Sequence, residues 1–191
     1  MAFRELAVPG AWEITPTVHD DDRGNFFEWF TQPEFTAMTG HRLDVAQANC
    51  STSSAGVLRG LHFAQTPPGQ AKYVSCLRGS VYDVVVDVRV GSPTYGRWDA
   101  VTLSAQRHNS VYLAEGLAHG FLALEDDTTV LYLCSAGYSP TREHTICATD
   151  PAIGITWPDT VFGSVHLQSD RDRDAPTLTQ VAAAGLLPSW S

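Results

Sequence analysis

The chain has 191 residues, 43% of them hydrophobic, and no linker-like change in composition divides it, so we expect one domain over residues 1–191. Its formal net charge of -9 argues against a nucleic-acid partner, and no apolar run reaches the length of a membrane helix, so no membrane partner is expected. The opening residues lack the pattern of a secretory leader, so we expect a cytoplasmic protein whose four scattered cysteines are free thiols.

Strand patterns dominate the chain. Residues 11–18 and 24–30 predict two early strands around a turn at 19–24. Six further segments, rich in Val, Tyr, Leu and Thr, follow at intervals of roughly ten residues: 71–77, 80–90, 97–104, 109–116, 119–125 and 128–135. No helices alternate with these segments, so a parallel α/β sheet is not expected.

Helix is a minor component. Thr31 and Glu34 have the spacing of a capping box, Pro33 stands in the first turn and Gly40 provides a stop, which predicts a short helix over 31–40. Residues 177–187 predict another. The sequence therefore indicates an all-β fold, an antiparallel jelly roll of the cupin-like sandwich or barrel type, with its core over about residues 8–160 and a C-terminal helical tail.

The segment RGLHF at 59–63 places Arg59 and His62 on one predicted strand. Taken alone, His62 is more often a packed core residue than a catalytic one. Lys72 follows on the next predicted strand, after a Pro/Gly turn over 64–71 that returns the chain beside its starting strand. Two cations and a histidine on neighbouring strands indicate a pocket for an anion.

Several other kinds of site lack support. Jelly rolls often hold a metal on an H-x-H pair, but this chain has none, and the ammonium of Lys72 would repel a divalent cation beside His62. No G-x-S-x-G elbow, G-x-G-x-x-G motif or P-loop is present. We therefore expect neither a metal nor a cofactor.

Five segments together resemble one known family. They are GVLRGLHF at 56–63, PPGQAKYVSCLRGSVYDVVVDVRVGSPTYGRW at 67–98, GLAHGFLALEDDTTVLY at 116–132, GYSPTREH at 137–144 and DPAIGITWP at 150–158. In this order they resemble the nucleotide-sugar epimerases typified by dTDP-4-dehydrorhamnose 3,5-epimerase, over about residues 8–180. The resemblance implies a jelly-roll homodimer that acts on a dTDP-4-keto-6-deoxyhexose in deoxysugar or antibiotic biosynthesis, without metal or cofactor.

The resemblance also implies four catalytic roles. His62 would be the base that removes a proton beside the C4 ketone, a task that suits an imidazole with an unperturbed pKa of about 6.5. Asp172, in the segment SDRDRDAP, would orient that histidine, with Asp170 as the alternative if the register differs. Lys72 would stabilise the enolate oxygen. Tyr132 would return a proton from the opposite face, which inversion requires.

Other positions match the family's substrate contacts. Arg23 and Arg59 match diphosphate contacts, for which the arginine fork is suited. Tyr138 matches an aromatic residue that stacks on the thymine. The remaining matches to ligand-lining positions are Phe26, Glu28, Gln47, Asn49, His119 and Glu143.

The chain departs from the family's usual pattern at four positions, namely Ala48, Ala114, Ala148 and Arg171. We expect these changes to touch the pocket wall, which leaves the inversion of C5 open while C3 inversion is expected. The alternatives are a C3-only monoepimerase of an antibiotic-sugar pathway, and a sugar-nucleotide-binding cupin that is non-catalytic or a ketoisomerase. The paired histidines of a ketoisomerase are not seen in the sequence, and both His62 and Tyr132 are present.

Overall fold

The computed structural model describes residues 1–159, 163 and 166–190. Its strands are β1 (Ala2–Glu5), β2 (Ala11–Thr15), β3 (Val18–Asp21), β4 (Gly24–Phe27), β5 (Gln47–Ser53), β6 (Leu58–Ala64), β7 (Lys72–Arg78), β8 (Ser80–Asp87), β9 (Trp98–Ser104), β10 (Ser110–Leu113), β11 (Leu117–Ala123), β12 (Thr128–Cys134) and β13 (Glu143–Thr145). Its helices are α1 (Gln32–Thr39), α2 (Asp170–Arg173) and α3 (Leu178–Ala183), and none of them is long and apolar enough to span a membrane.

Two antiparallel sheets form the body of the protein. The first sheet has the strand order β1-β2-β10-β7-β12-β5, and the second has the order β13-β6-β11-β8-β9. From β5 to β13 the chain crosses from one sheet to the other at almost every connection, as in a jelly roll. The predicted all-β, antiparallel jelly-roll class is therefore confirmed.

The main core lies between the two sheets. Alternate residues of the central strands point into it, among them Val74 and Val130 from the first sheet and Val85 and Phe121 from the second. This apolar packing occupies one part of the space between the sheets. Polar side chains occupy the other part, where the site described below is found.

Helices and loops cover the outer faces. Phe35 of α1 packs on the first sheet against Tyr112, with ring centroids 4.8 Å apart. Leu178 and Val181 of α3 pack behind the second sheet. The outer faces are thus covered by the two helices that the sequence predicts.

The six predicted middle segments all form strands, β7 to β12. The early prediction over 11–18 divides into β2 and β3, and the turn predicted over 19–24 is limited to residues 22–23, because the flanking residues belong to the hairpin β3–β4. The sequence analysis did not predict β1, β5, β13 or α2, which are short or polar elements with weak hydrophobic patterns. The predicted core boundary near residue 160 lies outside the described residues.

The capping box forms at the second predicted helix instead of the first. Thr31 is the N-cap of α1, but its side chain makes no capping hydrogen bond to the backbone. Thr177 caps α3 through the Gln180 backbone N–H, and the Gln180 side chain accepts from the Thr177 N–H. The capping-box spacing at Thr31 therefore located the helix correctly without producing the predicted bonds.

Candidate active site

Arg59 and His62 lie three residues apart on β6, yet both side chains reach the same side of the sheet. On the neighbouring strand, His119 pairs with His62 and Phe121 pairs with Arg59. Between these two pairs β11 advances by two residues while β6 advances by three, which is a β-bulge. Gly60 sits in the bulge with φ +111°, and a Cβ there would lie 2.7 Å from the Cα of Gly120. The bulge therefore requires glycine and aligns the arginine with the histidine.

The carboxylate that pairs with His62 comes from α2. Nε2 of His62 lies 2.7 Å from Oδ1 of Asp172, whose side chain is buried. Asp170, two residues earlier, is exposed and accepts a hydrogen bond from Arg173 at 2.7 Å. Of the two registers left open by the sequence, the structure places Asp172 beside the histidine.

The charge state of Asp172 fixes the tautomer of its partner. Burial opposes ionisation, but the hydrogen bond and charge of His62, together with the backbone N–H of Gly60, outweigh it and hold the pKa of Asp172 below its ordinary value. Asp172 is therefore a carboxylate at neutral pH and only accepts hydrogen bonds. In neutral His62 the proton must then be on Nε2, which leaves Nδ1 as the basic nitrogen.

Lys72 opens β7 in the first sheet and lines the cavity on that side. Lys72 is only 8% exposed, and its ammonium makes no hydrogen bond among the described residues. Burial lowers the pKa of Lys72, while the neighbouring groups Cys134, Glu143 and Asp83 oppose that effect. The ammonium therefore has free donors for a ligand oxygen.

Tyr132 lies on β12 of the same sheet, directly opposite Asn49 on β5. Its ring packs against the core between the sheets. Burial raises the pKa of Tyr132, with further raising effects of Cys134 and Glu143 and an opposing effect of Arg59. The phenol therefore stays protonated at neutral pH and is a proton donor.

These side chains meet in one cavity between the sheets. Its volume is about 300 Å³, and it is lined by Gln47, Asn49, His62, Gln70, Lys72, Tyr132, Tyr138, Glu143 and Arg171. A second cavity of about 460 Å³ adjoins it, sharing His62 and Arg171 and including Arg59 and Asp172. The structure thus brings all four predicted catalytic residues, and five of the predicted substrate contacts, to two cavities that share His62 and Arg171.

Hydrogen bonds order the polar wall formed by β5. The side-chain Nε2 of Gln47 donates to Oδ1 of Asn49 at 2.8 Å. The Oε1 of Gln47 accepts from the backbone N–H of Tyr138, also at 2.8 Å, and so ties the loop before β13 to the sheet. The ring of Tyr138 remains 56% exposed at the edge of the cavity, where a flat ligand ring has room to stack.

Four predicted substrate contacts are not among the residues that line either cavity. Arg23, Phe26 and Glu28 lie on or next to the hairpin β3–β4, where all three are exposed and Arg23 pairs with Asp21. His119 is buried, opposite His62 on the neighbouring strand, but its Nε2 lies 2.8 Å from Oδ2 of Asp83. The substrate contacts of these four residues therefore stay predictions.

The expectation that the four departures touch the pocket wall is wrong for three of them. Ala48 is exposed on β5 between two cavity-lining residues, so its side chain points to the outer face of the sheet. Ala114 and Ala148 are buried in the clusters on the outer faces of the two sheets. Only Arg171 lines the cavities, where its guanidinium donates to Thr145 and to the Glu143 carbonyl.

The sequence analysis missed two features of the site. Gln70 lines the cavity next to Lys72, and no motif singled it out. Lys72 is also the only lysine in the chain, which is visible from composition alone. Among the described residues no group of three or more His, Cys, Asp or Glu side chains is arranged to hold a metal ion.

The jelly-roll sandwich places an oriented histidine, a protonated tyrosine and an ammonium group around one cavity, and the named relatives of the chain make it an isomerase. The profile of the family described as dTDP-4-dehydrorhamnose 3,5-epimerase matches residues 5–180. The chain therefore belongs to this family.

One curated relative and two solved structures support this assignment. The dTDP-4-dehydrorhamnose 3,5-epimerase of Mycobacterium tuberculosis (strain H37Rv) is 65% identical over 190 residues, covering 100% of this chain and 94% of the relative. The solved structure of the M. tuberculosis rmlC epimerase has a TM-score of 0.97 at 64% identity, with 100% and 94% covered. The structure of ChmJ, a 3'-monoepimerase from Streptomyces bikiniensis in complex with dTDP-quinovose, has a TM-score of 0.90 at 50% identity, with 96% and 91% covered.

Proposed function

We propose that this enzyme epimerises a dTDP-4-keto-6-deoxyhexose at C3 and C5 in deoxysugar biosynthesis, without metal or cofactor. The observation that carries the proposal is the entry of His62 and Tyr132 into one cavity from different sheets. A base and an acid on opposite sides of a sugar ring are what inversion at carbon requires. Family membership supports the class of substrate.

The reaction begins at His62. Its free Nδ1 removes the proton from C3, which is acidic because C3 lies next to the C4 ketone. The electrons of the C3–H bond form the C3=C4 double bond, and negative charge develops on the C4 oxygen. Asp172 stabilises the imidazolium that results, since its carboxylate accepts the hydrogen bond from Nε2–H.

Lys72 stabilises the enolate. Its ammonium has no hydrogen bond within the described part of the chain, so its donors are available to the C4 oxygen in the cavity. Away from bulk water, a fixed positive charge beside a developing oxyanion is worth more than the same charge in water. Burial of Lys72 therefore strengthens its contribution to the transition state.

Tyr132 completes the inversion. Its phenol, kept protonated by burial, donates its proton to the face of C3 opposite His62, and the C4 ketone re-forms. The tyrosinate regains a proton from solvent, and the imidazolium loses one, so the enzyme returns to its starting state. The same steps at C5, which also lies next to the ketone, give the second inversion.

The proposal that both C3 and C5 are inverted depends on the residues that form the wall of the cavity. The sequence left C5 open because four departures from the family pattern were expected in that wall, and three of them lie on outer faces of the sheets. Of the four departures, only Arg171 therefore lies in the wall around His62 and Tyr132. The absence of the other three from that wall supports double inversion.

The test is incubation with dTDP-4-keto-6-deoxyglucose in deuterated water, followed by NMR of the product. Deuterium at C3 and C5, with both centres inverted, is the expected result. Label at C3 alone would identify the C3-only monoepimerase instead. Absence of label at every carbon, with binding of the substrate retained, would leave a non-catalytic sugar-nucleotide-binding protein, and migration of the carbonyl would reveal a ketoisomerase.

We also propose that the enzyme is a homodimer. The outer face of the first sheet leaves Leu77 54% exposed, and the hairpin β3–β4 leaves Phe26 67% exposed. Strand β5 ends the first sheet, so its edge has no partner strand among the described residues. The predicted substrate contacts Arg23 and Glu28 lie at this hairpin, outside their own cavity, and would reach substrate if the hairpin packed against the cavity of the partner subunit.

A mixing experiment tests this arrangement. Alone, His62→Ala should be inactive and Arg23→Ala should be weakly active. If the two residues of one site come from different subunits, a mixed dimer contains one site with both residues intact, so mixing should restore activity. Persistently low activity, in a mixture shown by mass spectrometry to contain mixed dimers, would place both residues in one chain.

We further propose a cytoplasmic location. All four cysteines are free thiols, namely Cys50, Cys76, Cys134 and Cys147, which agrees with a reducing compartment. Cell fractionation tests this, and recovery of the protein from the medium or the envelope would contradict it.

A further inference from the structure

Asp83 is a buried acid on β8 that the proposed reaction does not yet use. It is 1% exposed, and Val85, two residues further on the same strand, lies in the core between the sheets, so both side chains point to that interior. Oδ2 of Asp83 lies 2.8 Å from Nε2 of His119. Its other oxygen, Oδ1, is buried and has no hydrogen-bond partner among the described residues.

Such a group requires compensation from its surroundings. Removing a carboxylate from water is unfavourable unless hydrogen bonds or opposite charges replace the lost hydration. His119 provides one hydrogen bond, and the remaining attraction comes from Lys72 on the facing sheet, with which Asp83 interacts electrostatically. The two groups are not hydrogen-bonded to each other, so the ammonium keeps its donors for the cavity.

We propose that Asp83 is a positioning residue for the epimerase reaction: it fixes the ring of His119 and contributes, together with Glu143, to the negative charge that keeps Lys72 protonated. This inference rests on the proposed function, because it assumes that a protonated Lys72 stabilises the enolate. Asp83 itself does not line the cavity, so it acts through its two neighbours.

The charges around Lys72 determine the sign of the expected effect. Burial lowers its pKa, whereas Cys134 on β12, Glu143 on β13 and Asp83 on β8 raise it. Burial also raises the pKa of Cys134, so this thiol stays neutral near pH 7 and the two carboxylates provide the negative charge. The other titratable or charged groups that line the same cavity are His62, Tyr132, Tyr138 and Arg171. Neutralising Asp83 must therefore lower the pKa of Lys72 further.

The experiment uses the fact that Lys72 is the only lysine. Growth on lysine labelled with ¹³C at the ε-carbon gives a single lysine side-chain signal, whose titration reports Lys72 directly. In Asp83→Asn the midpoint should fall, by at most about one pH unit. The alkaline limb of the rate of solvent deuterium exchange into substrate should move in the same direction, so exchange on that limb should be slower than in the wild type at the same pH. Affinity for dTDP should stay within about twofold, because the diphosphate contacts are unchanged.

Asp87→Asn is the matched control. Asp87 lies on the same strand and is 0% exposed, but its carboxylate is held by Arg89, Ser92 and Thr94, away from Lys72. This variant should lose stability while the Lys72 titration and the alkaline limb stay where they are. If Asp83→Asn behaves in the same way, Asp83 has only a structural role and the inference is wrong.

Measurements on the unmodified protein keep the inference testable if Asp83→Asn does not fold. A lysine signal that shows a neutral amine at pH 7 in the wild-type protein would overturn the inference without any variant. Absence of exchange in the wild-type protein would refute the proposed function itself. Normal exchange in the wild type, with an unmoved lysine titration in folded Asp83→Asn, would refute only the role of Asp83.

Discussion

Nε2 of His62 and Oδ1 of Asp172 lie 2.7 Å apart, although 110 positions separate the two residues in the chain. One residue belongs to a central part of the second sheet and the other to the short helix α2 near the end of the chain. Their contact makes the orientation of the base depend on the docking of α2, with Ser169 capping that helix through the Asp172 N–H.

Asp172→Asn and Asp170→Asn form a matched pair. The first change should lower kcat for epimerisation by about 10²-fold or more, because an amide neither fixes the tautomer nor stabilises the imidazolium. The second should leave kcat within about twofold, since Asp170 is an exposed residue paired with Arg173. Steady-state kinetics decide between them, and equal effects of the two changes would remove Asp172 from its assigned role.

His62→Ala should abolish deuterium incorporation at both C3 and C5 while dTDP affinity changes by less than about twofold, because it removes the base and keeps the diphosphate contacts. NMR of the substrate in deuterated water and calorimetry with dTDP measure the two effects. His41→Ala, at a half-buried histidine that contacts Tyr112 away from the cavity, is the control and should exchange normally. Exchange by a folded His62→Ala protein would require another base.

Tyr132→Phe should separate exchange from inversion. His62 can still remove the proton and return one from the same face, so deuterium should enter the substrate while the inverted product falls by about 10²-fold. Comparing the rate of label uptake with the rate of product formation checks this. Tyr82→Phe, at a tyrosine packed behind the second sheet, should change neither rate. If both rates fall in parallel in Tyr132→Phe, the tyrosine does not act as a separate acid.

Lys72→Met and Lys72→Arg test the enolate role and its pH dependence. Methionine should reduce kcat by about 10²–10³-fold, the usual cost of losing an oxyanion donor. Burial lowers the pKa of Lys72, so wild-type activity should fall on the alkaline side below the ordinary lysine pKa of about 10.4 as the ammonium deprotonates. Arginine stays charged throughout, so any activity of Lys72→Arg should lack that limb. If the wild type and Lys72→Arg lose activity at the same alkaline pH, the loss is due to the titration of another group.

Chelators should not change the rate, because the proposed steps use only side chains. Assays after dialysis against EDTA, with and without added Mg²⁺, Mn²⁺ or Zn²⁺, measure this. Loss of activity that a divalent metal restores would contradict the metal-free mechanism.

The sequence predicted most of this fold because the relevant strands are rich in apolar residues, and several of these strands are buried on both faces. The strands β7 to β12 pack on the core between the sheets and were found, whereas the polar edge strand β5 was missed although it carries Gln47 and Asn49. Alternation along β5, once recognised, shows that Ala48 points away from the cavity. Asp83 was likewise visible in the sequence, because it is an acidic residue within the otherwise apolar strand β8.

Long-range contacts were beyond local reasoning from residue patterns. Nothing in the spacing of Asp172 links it to His62, and only the family resemblance paired them. The bulge at Gly60 shifts the alternation of β6, so a regular strand would have placed Arg59 and His62 on opposite faces. Register changes of this kind depend on the neighbouring strand, which the local sequence does not specify.

Lys72 is the only lysine in the sequence, and the ammonium of Met1 pairs with Glu34 at 3.1 Å. Reagents that attach proteins to beads or dyes through lysine would therefore modify either the chain terminus or the cavity, and modification of the cavity would block the site. The same property makes an amine-reactive dye a sensor of occupancy. Bound sugar nucleotide should protect Lys72 from labelling, while the terminus continues to react.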